Sequence, residues 1–194
     1  MTHFPLRRTV STAIIGFAFV ALAGCGSSTS STASAANAAA EIALLNAGVN
    51  AQNSGNTAEA TSDYNQVIAM DSKNKQAYYN LGVIAQQAHN NAAADTNYRT
   101  ALVLDPNYQP ALYNLALLVD TTNIWESIDL YRHLVQLAPT NSTYHNNLGA
   151  TLKAAGQNSE GDAEIAKAKA LGFAGQSSSS PGPASNSTAS PSPS

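Results

Sequence analysis

Two independent markers recur along the middle of this chain at the same spacing, and that spacing limits the fold more than any other feature. Tyr79-Asn80-Leu81-Gly82 returns as Tyr113-Asn114-Leu115-Ala116 and as Asn146-Asn147-Leu148-Gly149, with a weaker Leu45-Asn46-Ala47-Gly48 before them. The last positions of these tetrads are 48, 82, 116 and 149, which are steps of 34, 34 and 33. Tyr64, Tyr98 and Tyr131 step by 34 and 33, so both markers carry the same one-residue deletion. A unit of this length cannot bury its own apolar face, so neighbouring units must stack. Residues 78, 81, 82 and 85 are spaced i, i+3, i+4, i+7, the spacing of one helical face. Gly82 and Gly149 allow two helices to approach closely. Pro106, Pro110 and Pro139 fall between units, where each disfavours helix in the residue before it. Asn123, followed by Glu126, forms a capping-box pattern with Asn in place of Ser or Thr.

The pattern resembles the tetratricopeptide repeat family, whose unit is two antiparallel helices. In the unit 75–108, Tyr78, Leu81, Gly82, Ala94, Tyr98, Ala101 and Pro106 stand at signature positions, and Ala85 departs from the usual larger aromatic. The unit 41–74 keeps Leu44, Gly48, Gly55, Ala60 and Tyr64 but has Ser72 in place of the proline. The unit 109–141 keeps Leu112, Leu115, Ala116, Tyr131 and Pro139 and is one residue short in its inner turn. The unit 142–174 keeps Leu148, Gly149, Gly156 and Ala168, and departs at Gly161. The resemblance implies an all-α superhelical solenoid of about four helix-turn-helix repeats, right-handed, with disordered linkers at both ends. Asn46, Asn80, Asn114 and Asn147 share one repeat position and read as structural.

The ends of the chain read differently. Arg7 and Arg8 precede fourteen uncharged residues, 10–23, too few for a bilayer-spanning helix of about twenty. A basic start with a short apolar run reads as a secretory signal peptide. It ends in Leu22-Ala23-Gly24-Cys25, which resembles the lipobox of bacterial lipoproteins. That resemblance implies cleavage after residue 24, lipidation at Cys25 and stable attachment by two or more acyl chains. Residues 25–40 follow as the lipidated Cys and a flexible tether, whose terminal alanines favour helix. Residues 175–194 are Ser, Pro, Gly, Asn and Thr without charge and cannot build a core.

Within each repeat a second helical stripe lies beside the core stripe. In the family it lines the concave surface. Carried over, the resemblance places Gln52, Gln76, Tyr79, Val83, Gln86, Tyr113, Leu117, Asp120, Asn146 and Lys153 in a peptide-binding groove. With Lys153 its only basic residue, the groove suits a neutral or apolar peptide or a helix rather than an acidic C-terminus. Trp125 reads equally as an exposed anchor and as a cap on an apolar face.

Charged residues are 11% of the chain and its net charge is -3; nucleic-acid binding would need a clustered basic surface. One cysteine excludes an internal disulfide and a cysteine zinc cluster. His89, His133 and His145 have no ligand spacing and read as surface residues; no metal or other cofactor is expected. Glu160 and Glu164 read as a solvated helix start, with Glu164–Lys167 an i, i+3 ion pair. Four repeats and two linkers leave no segment for a catalytic domain. The expected function is a non-catalytic, extracytoplasmic lipoprotein of a bacterial envelope that binds proteins through its groove and the membrane through its lipid. The alternatives are an assembly or pilot lipoprotein for a pilus, secretion or outer-membrane machine, and a small-molecule-binding lipoprotein.

Overall fold

The computed structural model describes residues 29–174. The expected signal peptide, Cys25 and the tail at 175–194 lie outside the described residues. Within them the chain forms eight helices and no strand: α1 (Thr29–Asn53), α2 (Thr57–Met70), α3 (Lys75–Gln87), α4 (Asn91–Leu104), α5 (Gln109–Val119), α6 (Ile124–Leu137), α7 (Ser142–Ala154) and α8 (Asn158–Ala170). Each helix packs on the next, and first helices of successive repeats also touch, α1 on α3 and α3 on α5. The result is a solenoid of four helical hairpins.

Asparagine sets most of the helix starts. Asn56, Asn74, Asn90, Asn123 and Asn141 cap α2, α3, α4, α6 and α7, each side chain accepting from a backbone N–H of the first turn. A cap of this kind stabilises a helix by about 1 kcal/mol. Half of the Asn123–Glu126 box forms: Asn123 Oδ1 accepts from the Glu126 N–H, but Glu126 Oε2 accepts from Asn123 Nδ2 at 3.0 Å rather than from its backbone N–H, which bonds the Val119 carbonyl. Left-handed residues end several helices, Gly55, Gly156 and Gly172 by design of the residue and His89 (φ 57°) without it. The deletion in repeat three shortens α5 and tightens the turn into α6, where the N–H groups of Thr122 and Asn123 both reach the Val119 carbonyl.

Inside each of the first two hairpins a tyrosine of the second helix lies on a glycine of the first. A Cβ at Gly82 would stand 2.5 Å from Tyr98 Cε1, and one at Gly48 2.6 Å from Tyr64 Cε1. In repeat four the contact is backbone to backbone, since a Cβ on Gly149 would stand 2.7 Å from the Gly161 carbonyl oxygen. The departure at Gly161 thus brings α7 and α8 together directly. The apolar interior runs as three patches that cross repeat boundaries. Leu45, Tyr64 and Val67 meet Ala77; Tyr79, Val83 and Tyr98 meet Ala111 and Leu115; Leu112, Tyr113 and Tyr131 meet Leu148 and Leu152.

Two expectations change here. The first half of 26–40 was expected to be a flexible tether, but α1 already begins at Thr29 and runs unbroken into repeat one. No glycine or proline interrupts 29–47, and six of residues 33–40 are alanine, the strongest helix former. Residues 34–40 of this extension are exposed. Second, His145 and Glu164 are not surface groups. They are 4% and 9% exposed and face each other across α7 and α8. No helix among the described residues is long and apolar enough to cross a membrane.

Candidate partner-binding surface

The stripe expected to face a partner divides into a buried and an accessible half. Tyr79 is fully buried, Tyr113 is 3% exposed, Val83 4% and Gln52 8%. The Tyr79 and Tyr113 rings therefore do not present themselves in a groove, and this corrects the expectation. The reason is stacking. The middle of this stripe is covered where helices stack, so Tyr79 packs edge-on against Tyr108 (5.6 Å between centroids) and beside Tyr98 of its own hairpin (5.9 Å). Tyr113 packs against Tyr131 and Tyr144 at 6.2 and 5.8 Å. Burial pushes every one of these phenols well above the ordinary tyrosine range, so the hydroxyls stay protonated.

Several of these hydroxyls are tied into a polar ladder, while that of Tyr108 is buried without a hydrogen-bond partner. Asn114 Nδ2 donates to Tyr79 OH at 3.2 Å and to Tyr98 OH at 3.4 Å. Asn147 Nδ2 donates to Tyr113 OH at 3.2 Å. Tyr64 donates to Gln52 Oε1 at 2.9 Å and Tyr98 to Gln86 Oε1 at 2.6 Å. Asn80 and Asn114 are completely buried, which matches the structural role read for that repeat position. Gln52 and Gln86 therefore also serve the fold: each closes its own hairpin by accepting from the tyrosine twelve residues on.

The accessible half consists of Gln76, Gln86, Leu117, Asp120 and Asn146, all half-buried, and Lys153, which is exposed. Asp120 Oδ1 accepts from Ser127 Oγ (3.2 Å) and Thr151 Oγ1 (3.1 Å), and Lys153 Nζ reaches Asp162 at 2.6 Å. Among the described residues no hairpin follows repeat four. Its stacking positions are Asn146, Ala150 and Lys153, where repeats two and three have Tyr79/Tyr113, Val83/Leu117 and Gln86/Asp120. A terminal repeat with a polar outer face is what keeps such a stack soluble.

On the opposite side the second helices carry an inter-repeat charge row that the sequence reading did not single out. Arg99 pairs with Glu126 at 2.7 Å and Arg132 with Glu160 at 3.0 Å. The arginines are 33 residues apart and the glutamates 34, so the period itself carried the signal. Between α4 and α6 lies an open cleft of about 330 Å³ lined by Arg99, Leu102, Val103, Leu115, Glu126 and Leu130. Trp125, at the start of α6, is 56% exposed. Among the described residues no three His, Cys, Asp or Glu side chains converge as a metal site would require.

The comparisons with known proteins agree with this geometry. Residues 75–108 match the sequence profile of the tetratricopeptide repeat. No curated protein matches this sequence. Among solved structures, MamA superposes with a TM-score of 0.62 at 21% identity, covering 73% of this chain and 83% of its own. PilF of Pseudomonas aeruginosa gives 0.63 at 22% identity, over 71% of this chain and 63% of its own. An O-GlcNAc transferase mutant of Thermobaculum terrenum gives 0.54 at 27% identity, over 60% of this chain and 22% of its own. The described residues fold as a tetratricopeptide-repeat solenoid.

Proposed function

We propose that this chain is a non-catalytic scaffold that holds protein partners at a bacterial membrane, to which a lipid on Cys25 ties it. The observation that carries the scaffold half is the division of the stripe. The apolar and aromatic members glue repeat to repeat, while amide, carboxylate and ammonium groups of Gln76, Gln86, Asp120, Asn146 and Lys153 stay within reach of solvent. Such groups match the donors and acceptors of an extended peptide backbone or of a polar helix face. The lipid half rests on Leu22-Ala23-Gly24-Cys25 and the short apolar run before it. The start of α1 only four residues after Cys25 supports a repeat domain held close to that membrane. The likeness to MamA and PilF supports the fold, and partner identity is not carried over from either.

Two readouts test the two halves separately. Metabolic labelling with a palmitate analogue marks the wild type and not Cys25→Ser if the lipid reading holds; equal labelling of both ends it. Photo-crosslinking side chains placed at Gln86 and Lys153 capture a defined protein set in native cells if the stripe binds partners. The same probe at Gln136, exposed on α6, serves as the control, and an identical set from it moves the site elsewhere.

A further inference from the structure

Repeat four is closed by chemistry the other repeats do not use. His145 occupies the place held by Leu44, Tyr78 and Leu112 in repeats one, two and three, and Glu164 the place held by Leu130 in repeat three. His145 Nδ1 lies 2.5 Å from Glu164 Oε2, and its Nε2 lies 2.9 Å from the Pro139 carbonyl oxygen. Lys167 Nζ donates to the other Glu164 oxygen at 2.7 Å. An ionised carboxylate and a carbonyl only accept, so both ring contacts are hydrogen bonds only when each nitrogen carries a proton. In that protonation state the clasp is an ion pair buried between α7, α8 and the turn from α6.

We propose that His145, Glu164 and Lys167 form an ionic latch that holds α8 on α7, and that removing its charge releases α8 while repeats one to three stay folded. The fourth hairpin is the unit free to do this, because a solenoid repeat is held only by its neighbours and, among the described residues, α8 packs on α7 alone. The first helix of the repeat has its own ties. Asn147 bonds Tyr113 and Tyr144 OH donates to Gln109 Oε1 at 3.3 Å, so α7 stays on repeat three when α8 leaves. Release uncovers the α7 face at Gly149, on which Gly161 and Ile165 of α8 pack, a helix face that a partner helix could occupy.

Other charged groups nearby are engaged elsewhere. On α6, Arg132 pairs with Glu160 and His133 Nε2 lies 2.9 Å from Asn107 Oδ1. On α7, Lys153 pairs with Asp162 of α8. Lys169 is exposed at the end of α8. The groups bonded to His145 are thus Glu164 and the Pro139 carbonyl, with Lys167 behind Glu164. Protonating Glu164 replaces one acceptor by a hydroxyl and leaves a charged imidazole buried without its counter-charge, an arrangement that is strongly unfavourable.

The test uses the 15N-labelled full chain, followed by NMR from pH 7 to pH 3.5. The α8 amide signals are expected to move to disordered positions at a midpoint about half a pH unit or more above that of α4. The variant carrying His145→Leu and Glu164→Leu, which installs the pair repeat three already has, is expected to bring the two midpoints together. In Glu164→Gln at pH 7, α8 amides should lose protection about tenfold while α4 keeps it. Coincident α8 and α4 transitions in the wild type overturn the latch. So does a gap that survives in the Leu pair, or full α8 protection in Glu164→Gln. Should the Leu pair fail to fold, the wild-type titration and Glu164→Gln decide.

Discussion

Asn114 donates its side-chain amide to the hydroxyl of Tyr79, 35 residues earlier and one repeat back, at 3.2 Å in a fully buried site. The same bond returns one repeat later between Asn147 and Tyr113. Asn80 likewise bonds Tyr64 of the preceding repeat. A single residue position thus joins each hairpin to the one before it. The tyrosines supply bulk to fill the boundary, and the asparagine donates to their hydroxyls across it.

That arrangement makes Asn114 a joint rather than a surface feature. Asn114→Ala leaves the Tyr79 hydroxyl without this donor and opens a small cavity. A buried polar group left unsatisfied costs about 1–3 kcal/mol. Thermal unfolding should show a loss of about 2 kcal/mol for Asn114→Ala and a smaller loss for Asn147→Ala, whose site is only partly buried. Equal losses at the two sites would contradict the ladder.

The glycine-on-tyrosine contact gives a steric prediction. Gly82→Ala puts a methyl 2.5 Å from Tyr98 Cε1 and 2.6 Å from Cδ1, so the ring must shift within a full core. Overpacking of this kind destabilises by about 1–3 kcal/mol. The double variant with Tyr98→Leu should lose less than the sum of its two single changes, because the smaller side chain makes room. Additive losses in a double-mutant cycle would mean that the two residues do not press on each other.

His89 ends α3 in the left-handed region, at a repeat position where Gly55 and Gly156 stand in repeats one and four. A side chain there costs about 1 kcal/mol relative to glycine, which adopts the region freely. His89→Gly is therefore expected to raise stability by about 0.5–1 kcal/mol, the gain being reduced by the looser unfolded chain. No bond to the His89 side chain is lost if the gain appears in full. A loss of stability would show that the imidazole contributes more than its strained backbone costs.

Much of this fold was legible before any coordinates, because a 34-residue period fixes helix count, pairing and order together. The close helix approach at Gly82 was read from the residue itself, and the structural role of Asn80 from its repeat position. The stripe was read less well. Periodicity finds which residues share a helix face, but whether that face meets solvent depends on how the next hairpin lies, and Tyr79 and Tyr113 turned out to be glue. His145 was misread for a related reason: spacing within one helix does not reveal a partner nineteen residues away on another. Aligning repeat four on repeat three would have set His145 against Leu112 and Glu164 against Leu130 and marked the pair as internal. The early start of α1 was hidden by the serines at its beginning, which favour caps and turns as readily as helix.

The buried carboxylate also sets how stability should follow pH. Burial alone pushes the Glu164 carboxyl up, but hydrogen bonds from Lys167 and His145 outweigh it and hold the group below its ordinary value of 4.5. A carboxyl whose folded value is depressed binds its proton more readily in the unfolded chain. Its contribution is therefore complete above about 4.5 and is lost as pH falls below that through the lowered folded value. Asp105 behaves alike, drawn down by Lys75 at 2.5 Å, but that pair is about a third exposed and contributes little. Melting temperature should accordingly hold from pH 6 to about pH 5 as far as these carboxyls decide it, then decline steeply. Glu164→Gln should be less stable than wild type at pH 6 and nearer to it at pH 3.5, because the wild-type carboxyl loses charge as the pH falls. Lys75→Met should track the wild type within a degree or two across the range. Parallel curves for Glu164→Gln and wild type at both pH values would show that the acid sensitivity lies outside the fourth repeat.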